Sequence, residues 1–227
     1  MTLKVIISGF ARGATRWAYE SIKRAGHDVG FCEVFNEHST VQSSHAAITN
    51  SKHEIEVSWF SAPFLRHPAL QYNARTVYLM RDPLAIADSL GWIGMFQPGH
   101  NDLAQAWYDF AVKSAPELDV WYRGRPGQSA LYYLCEWHNL LQHAKSSVHA
   151  EEGVAALLEA GGLENKTGVV YNNTRCNSSA CRRSSTVESI SELPVFKTFL
   201  ETAKVQGYAS DGQQQDNEFQ GSALWDD

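Results

Sequence analysis

Short apolar runs and helical periodicities alternate from the start of the chain. Residues 3–8 form an apolar run that predicts a short buried strand, and a glycine-containing turn at residues 9–13 follows it. In the next stretch, small and apolar residues recur with i, i+4, i+7 spacing at Ala18, Ile22 and Ala25. This spacing predicts a helix that ends at Gly26. A strand, a turn and a helix in this order predict the first half of a βαβ unit.

The same alternation continues along the rest of the chain. Further strands are predicted over residues 54–60, 75–80 and 167–171, and helices over about 102–114, 129–147, 150–160 and 188–205. Asp82 and Pro83 predict another helix start, because Asp is a good N-cap and Pro suits the first helical turn. Residues 36–54 are polar and rich in Ser, Asn and His, which predicts a long loop.

This order of elements predicts an α/β fold with a mainly parallel sheet flanked by helices on both faces. One domain is expected over residues 1–208, followed by a polar C-terminal tail over 209–227. The 227 residues suffice for one sizeable core.

Composition narrows the functional classes. Apolar residues make up 44% of the chain and charged residues 19%, with a formal net charge of −6. The acidic balance argues against a general nucleic-acid partner but allows a local basic pocket for an anionic ligand. No run approaches the roughly 20 apolar residues that span a bilayer, and no signal peptide is evident, so a cytoplasmic protein without a membrane partner is expected. Four cysteines without a second close pair predict no zinc site.

The turn after the first predicted strand is a candidate anion site. In open α/β sheets, ligands bind beyond the carboxyl ends of the strands, and this turn leads from such an end into a helix. Small residues at 9, 11, 13 and 14 let backbone N–H groups approach an anion, and the helix N-terminus adds its positive dipole end. Thr15 offers a hydroxyl, and Arg12 and Arg16 offer guanidinium groups for phosphate oxygens. A tight turn with solvated arginines is the structural alternative.

A second candidate site begins where the predicted strand at 75–80 ends. Arg81 stands at that end, and Ser89 lies inside the helix that Pro83 begins. From Pro83 to Ser89 the helix axis extends about 9 Å, so the two side chains can converge on one phosphate group. Alternatively, Arg81 pairs with a neighbouring aspartate and Ser89 is a surface serine.

Together the two segments resemble the family of sulfotransferases that use 3′-phosphoadenosine-5′-phosphosulfate (PAPS). That family has a phosphosulfate loop of the form T-Y-P-K-S-G-T-T-W after its first strand. Residues 9–17, G-F-A-R-G-A-T-R-W, have the same length, with an aromatic residue, a cation, Thr and Trp at the matching places. The family's second motif, R-x-P-x(5)-S, matches Arg81, Pro83 and Ser89 at every defined position. Arg12 stands where the family usually has Lys, Ala14 where it has Gly, and Arg16 where it has Thr.

The resemblance implies a P-loop NTPase-like sulfotransferase fold and a role for each matched residue. The 5′-phosphosulfate would contact Arg12, Gly13, Ala14, Thr15 and Arg16. Trp17 would lie near the adenine, unless it packs in the core, and Arg81 and Ser89 would hold the 3′-phosphate. PAPS would be the co-substrate and 3′,5′-ADP the product, with no metal expected. Arg12 would also stabilise the charge that develops on the leaving group.

Sulfuryl transfer to a hydroxyl or amine also requires a base for the acceptor proton. Family members place a His or Glu just beyond the second strand, and residues 33–35, Glu-Val-Phe, resemble the segment of carbohydrate sulfotransferases that contains this Glu. Glu33 is therefore the first candidate, since apolar neighbours favour base chemistry in a carboxylate, and a strand-edge ion pair is its alternative. His38 is the second candidate, whereas His53 is expected on the surface of a polar loop.

The expected acceptor is a small molecule or a carbohydrate. Six aromatic residues could line its pocket, although such residues are more often core: Trp92, Phe96, Trp107, Tyr108, Trp121 and Tyr122. Two other functions remain open: a P-loop-like ATP-dependent phosphotransferase, and a catalytically inactive nucleotide-binding relative. The oligomeric state is not predicted.

Overall fold

The computed structural model describes residues 2–97, 99, 101–116, 118 and 126–169. Five strands lie among them: β1 (Val5–Gly9), β2 (Val29–Phe31), β3 (Ile55–Val57), β4 (Arg75–Met80) and β5 (Ser146–His149). The α-helices are α1 (Thr15–Arg24), α2 (Val41–Thr49), α3 (Pro68–Asn73), α4 (Pro83–Trp92), α5 (Asp102–Ser114), α6 (Pro126–Leu141) and α7 (Gly153–Gly161). Two 3₁₀ helices cover Trp59–Phe64 and Ala150–Glu152.

The five strands form one parallel sheet in the order β2-β3-β1-β4-β5. The strand after β1 lies towards one edge of this sheet, whereas the strand after β4 lies at the other edge. The chain therefore leaves the neighbouring strands β1 and β4 in opposite directions. Such a switch point opens a crevice at the carboxyl ends of the strands, where α/β proteins bind ligands.

Helices cover both faces of the sheet because its strands carry buried residues on both sides. On one face, Ile7 and Leu79 belong to a core cluster with Ile22 of α1 and Leu157 of α7. On the other face, a larger cluster includes residues of β1, β4, α4, α6 and the first 3₁₀ helix, among them Ile6, Tyr78, Leu90, Leu134 and Trp59. The predicted α/β class, mainly parallel sheet and flanking helices are confirmed.

Several predicted elements lie where expected. The strands predicted over residues 3–8 and 75–80 correspond to β1 and β4, and the helix predicted over about 102–114 corresponds to α5. Asp82 is the N-cap of α4, and its Oδ1 accepts the N–H of Leu84 at 2.9 Å. None of the helices in the described part of the chain is both long and apolar enough to cross a bilayer.

Other predicted elements are wrong. The loop expected at residues 36–54 contains α2, whose start is fixed by a capping box between Thr40 and Ser43. The strand expected over 54–60 ends at Val57, and a 3₁₀ helix follows. The helix expected over 129–147 ends at Leu141, because residues 146–149 pair with β4 as β5.

The C-terminal predictions can be compared with the structure only in small part. Residues 167–169 of the strand expected over 167–171 are not in a strand, and its last two residues lie outside the described residues. The helix expected over 188–205 and the tail 209–227 also lie outside them.

Candidate functional site

The loop between β1 and α1 has a backbone that few side chains tolerate. The N–H of Gly13 donates to the carbonyl oxygen of Phe10 at 2.9 Å, which closes a tight turn. A Cβ at Gly13 would lie 2.9 Å from that same oxygen, so the turn requires glycine. Arg12 and Ala14 adopt left-handed conformations with φ of 63° and 68°. Non-glycine residues in this region store strain, which is typical of functional loops.

A buried tyrosine on α6 holds the backbone of this loop in place. The N–H of Ala11 donates to the hydroxyl oxygen of Tyr133 on α6 at 2.9 Å, and Tyr133 is fully buried. Burial raises the pKa of Tyr133, so its phenol stays neutral. Tyr133 was not predicted as a site residue, because nothing in its local sequence indicates a partner 122 positions away.

The two predicted anion-binding segments meet at the switch point. Nε of Arg12 donates to Oγ of Ser89 at 2.8 Å, and Nη1 of Arg81 donates to the carbonyl oxygen of Arg12 at 2.8 Å. Arg12 follows β1 and Arg81 follows the neighbouring strand β4, while Ser89 lies on α4, the helix that comes after Arg81. Two guanidinium groups and a hydroxyl thus lie beside the N-terminus of α1, whose N-cap Ala14 provides no side-chain hydrogen bond. This arrangement can bind anionic groups.

The remaining residues of the predicted phosphosulfate loop lie in two different environments. Thr15 is buried in the first turn of α1, directly after the loop. Arg16 instead turns along α1, where Nη2 lies 2.8 Å from Oε1 of Glu20 and the guanidinium lies 5.3 Å from the ring centre of Phe31. Trp17 is buried in the core cluster between the sheet and α1, which is the packing alternative noted for it.

Both candidate bases follow β2, the edge strand of the sheet. Glu33 follows β2, as expected, but its side chain is 49% exposed and Oε2 lies 3.3 Å from Nε2 of His53. The expected apolar surroundings of this carboxylate are therefore wrong. His38 is exposed, with Nε2 3.7 Å from Oε1 of Glu37. His53 lies in the loop just before β3, as expected, and its side chain is 20% exposed.

A buried glutamate that was not predicted as a site residue holds the backbone around Glu33. Oε1 of Glu56 on β3 accepts the N–H groups of Glu33, Val34 and Phe35 at 2.8, 3.0 and 3.5 Å. Oε2 of Glu56 is buried and has no hydrogen-bond partner among the described residues. Burial raises the pKa of Glu56 to about 7, although the three backbone donors oppose the shift. Glu56 is buried like its neighbours Ile55 and Val57, because both faces of the sheet are covered.

The aromatic residues considered for an acceptor pocket are dispersed. Phe96 and Tyr108 are buried in the core, Trp107 packs against it, and Trp92 is exposed. Trp121 and Tyr122 lie outside the described residues. These positions do not define an acceptor pocket.

Comparisons with known proteins add no family to these observations. No family model matches the chain, and no curated protein or solved structure matches it either. Within the described ranges, no group of three or more His, Cys, Asp or Glu residues could hold a metal ion.

Proposed function

We propose that this protein is a sulfotransferase that moves a sulfuryl group from PAPS to a hydroxyl or amine of a small-molecule or carbohydrate acceptor. The observation that carries the proposal is the meeting of Arg12, Ser89 and Arg81 through two hydrogen bonds of 2.8 Å. Their segments are the two that resemble sulfotransferase motifs, and nothing in either segment alone requires this contact.

The arrangement supports a division of the nucleotide between two groups of residues. The 5′-phosphosulfate would contact the Arg12 guanidinium, the backbone from Gly13 to Thr15 and the start of α1. The 3′-phosphate would contact Arg81 and Ser89. The bound nucleotide would then replace the Arg12–Ser89 hydrogen bond with bonds from the guanidinium to ionised phosphate oxygens, which an arginine can contact with two parallel N–H groups.

Transfer would proceed by in-line displacement at sulfur. The acceptor oxygen or nitrogen forms a bond to sulfur while the bond from sulfur to the phosphate oxygen breaks, which releases 3′,5′-ADP. Arg12 would stabilise the negative charge that develops on the leaving oxygen. Glu33 would take the acceptor proton, because the end of β2 lies beside the first turn of α1, as the contact between Arg16 and Phe31 indicates. His38 remains the second candidate.

One observation favours a different function, that of a nucleotide-binding relative without turnover. Arg16 was expected at the phosphosulfate but forms an ion pair with Glu20. An ATP-dependent phosphotransferase is less well supported, since Gly13 is followed by Ala-Thr-Arg instead of the Lys-Ser/Thr ending that contacts ATP phosphates and magnesium.

Nucleotide titration and a transfer assay separate the three functions. A sulfotransferase should bind 3′,5′-ADP more tightly than ATP with magnesium, and it should transfer ³⁵S from labelled PAPS to a member of a panel of phenols, alcohols, amines and sugars. Tighter binding of ATP would favour the phosphotransferase, and binding of 3′,5′-ADP without any transfer would favour the inactive relative. No binding of either nucleotide would refute all three.

A further inference from the structure

His53 lies between two carboxylates, one of which belongs to the candidate base. Its Nδ1 lies 2.8 Å from Oδ1 of Asp28, and its Nε2 lies 3.3 Å from Oε2 of Glu33. Asp28 directly precedes β2 and Glu33 follows it, while His53 precedes the neighbouring strand β3. The three side chains therefore form a chain of contacts along the edge of the sheet.

The orientation of the imidazole is fixed by its surroundings. The backbone of His53 is held by Ser51: the backbone N–H of His53 donates to Oγ of Ser51 at 3.1 Å, and the Ser51 hydroxyl donates to the backbone carbonyl oxygen of His53 at 2.6 Å. Asp28 accepts a hydrogen bond from Nδ1, which directs Nε2 towards Glu33. A carboxylate that orients an imidazole in this way fixes its tautomer and makes its other nitrogen more basic.

The carboxylate of Glu33 is held independently of its backbone. Glu56 of β3 accepts the backbone N–H of Glu33, and His53, just before β3, contacts Oε2 of Glu33. Two residues therefore position the backbone and the side chain of Glu33 separately. Gly30 makes this possible, because a Cβ there would collide with Oε2 of Glu56 and would lie 3.0 Å from Cδ2 of His53. The side chain of Glu33 remains 49% exposed, so its carboxylate is still accessible to an acceptor.

We propose that His53 is a positioning residue for Glu33, and that the Asp28–His53 pair takes over the proton that Glu33 removes from the acceptor. This role rests on the proposed sulfuryl transfer. The acceptor hydrogen moves to the Glu33 carboxylate as the bond to sulfur forms, and it then moves from Glu33 to Nε2 of His53. The result is an imidazolium between two carboxylates, and Asp28, which is 69% exposed, places it within reach of solvent.

The charges around His53 give this role a pH dependence. The ionisable groups that face the ring are Asp28, Glu33 and, across Gly30, Glu56. Burial lowers the pKa of His53, but the hydrogen bonds and charges of Asp28 and Glu33 outweigh it and raise the pKa above 6.5. Only the neutral ring can accept a proton, so transfer should increase as the pH rises through this raised pKa.

Kinetics of three variants test the role. His53→Gln should lower kcat by about 10- to 100-fold, the usual effect of losing such a supporting contact, and should remove the rising limb of the pH profile above pH 6.5. Asp28→Asn should also lower kcat and weaken the rising limb of the pH profile. The acceptor KM and the Kd for 3′,5′-ADP should stay within about twofold, since His53 touches neither ligand. His45→Gln, on exposed α2, is the matched control and should behave like the wild type.

An NMR titration of the His53 ring provides a readout that does not depend on turnover. Glu33→Gln and Asp28→Asn should each lower the pKa of His53 towards 6.5. A His53 pKa that neither variant changes would overturn the proposed coupling. An active wild type whose His53→Gln variant keeps its kcat and pH profile would overturn only the catalytic role. A wild type that transfers no sulfuryl group would instead refute the proposed function, even if the NMR titration shows the coupling.

Discussion

Glu56 offers the most quantitative test of the structure, because its carboxyl is buried while half of it lacks a partner. Oε1 accepts three backbone N–H groups, and Oε2 has no partner among the described residues. Replacement by Gln keeps the size of the side chain and an oxygen for the three donors but removes the titrating group. The Glu56→Gln variant should therefore differ from the wild type mainly in how its stability depends on pH.

The sign and the size of this difference follow from the pKa of Glu56. It lies at about 7 in the folded protein, against 4.5 for an ordinary glutamate. Below pH 4.5 both folded and unfolded chains hold the proton, and the full stability is present. Between pH 4.5 and 7 only the unfolded chain releases the proton, so the free energy of unfolding falls as the pH rises. Above pH 7 both chains have released the proton, and the contribution of Glu56 is constant again. Between pH 5 and pH 8 this amounts to a loss of about 2–3 kcal/mol.

Urea unfolding, followed by tryptophan fluorescence from pH 5 to pH 8, measures this loss. The free energy of unfolding of the wild type should fall by about 2–3 kcal/mol more than that of Glu56→Gln. Other groups titrate in both proteins and drop out of the difference. Glu54→Gln is the matched control, since this neighbouring carboxylate is half exposed and pairs with Lys4; its curve should keep the slope of the wild type. Parallel curves for the wild type and Glu56→Gln would refute the burial argument.

Three further substitutions test the loop after β1. Gly13→Ala puts a Cβ 2.9 Å from a backbone oxygen, so it should destabilise the fold by about 1–3 kcal/mol in urea unfolding and abolish calorimetric binding of 3′,5′-ADP; an unchanged Kd would contradict this. Ala14→Gly removes left-handed strain and should raise the free energy of unfolding by up to about 1 kcal/mol, whereas a decrease would argue against strain. Tyr133→Phe leaves the buried N–H of Ala11 without its acceptor and should cost about 1–3 kcal/mol. Tyr72→Phe, at an 85% exposed position, is its control and should cost nothing measurable; equal losses in the two would count against the Tyr133 contact.

Local patterns predicted the fold where the relevant interactions are local. The apolar runs of β1 and β4 and the Asp82 cap can be recognised within a few residues. By contrast, α2 buries only Ser44 and Ile48, so its sequence has no apolar stripe that would predict a helix. A capping box fixes where this helix begins. In β5 only Val148 is buried, so pairing with β4 stabilises a strand that its composition does not indicate.

The same distinction applies to the site. Arg12, Arg81 and Ser89 could be predicted together. Arg12 and Arg81 follow parallel strands, whose carboxyl ends meet at one edge of the sheet, and Ser89 lies on the helix that begins after Arg81. The contacts of Tyr133, His53 and Glu56 depend on helix packing and on the register between strands. In particular, Glu56 reaches the backbone of Glu33 because β2 and β3 align it with Gly30. A single sequence does not contain that register.

Calorimetric binding of two nucleotides tests the central claim most directly. Arg81→Ala and Ser89→Ala remove groups assigned to the 3′-phosphate, while Arg24→Ala, on the exposed end of α1, is the control. Arg81→Ala should weaken 3′,5′-ADP by more than about tenfold, as expected for a lost charge-assisted hydrogen bond, and should leave 5′-AMP nearly unchanged. Ser89→Ala should act in the same direction with a smaller effect, and Arg24→Ala should affect neither nucleotide. Equal losses of both nucleotides in Arg81→Ala would contradict the assignment of the 3′-phosphate to this cluster.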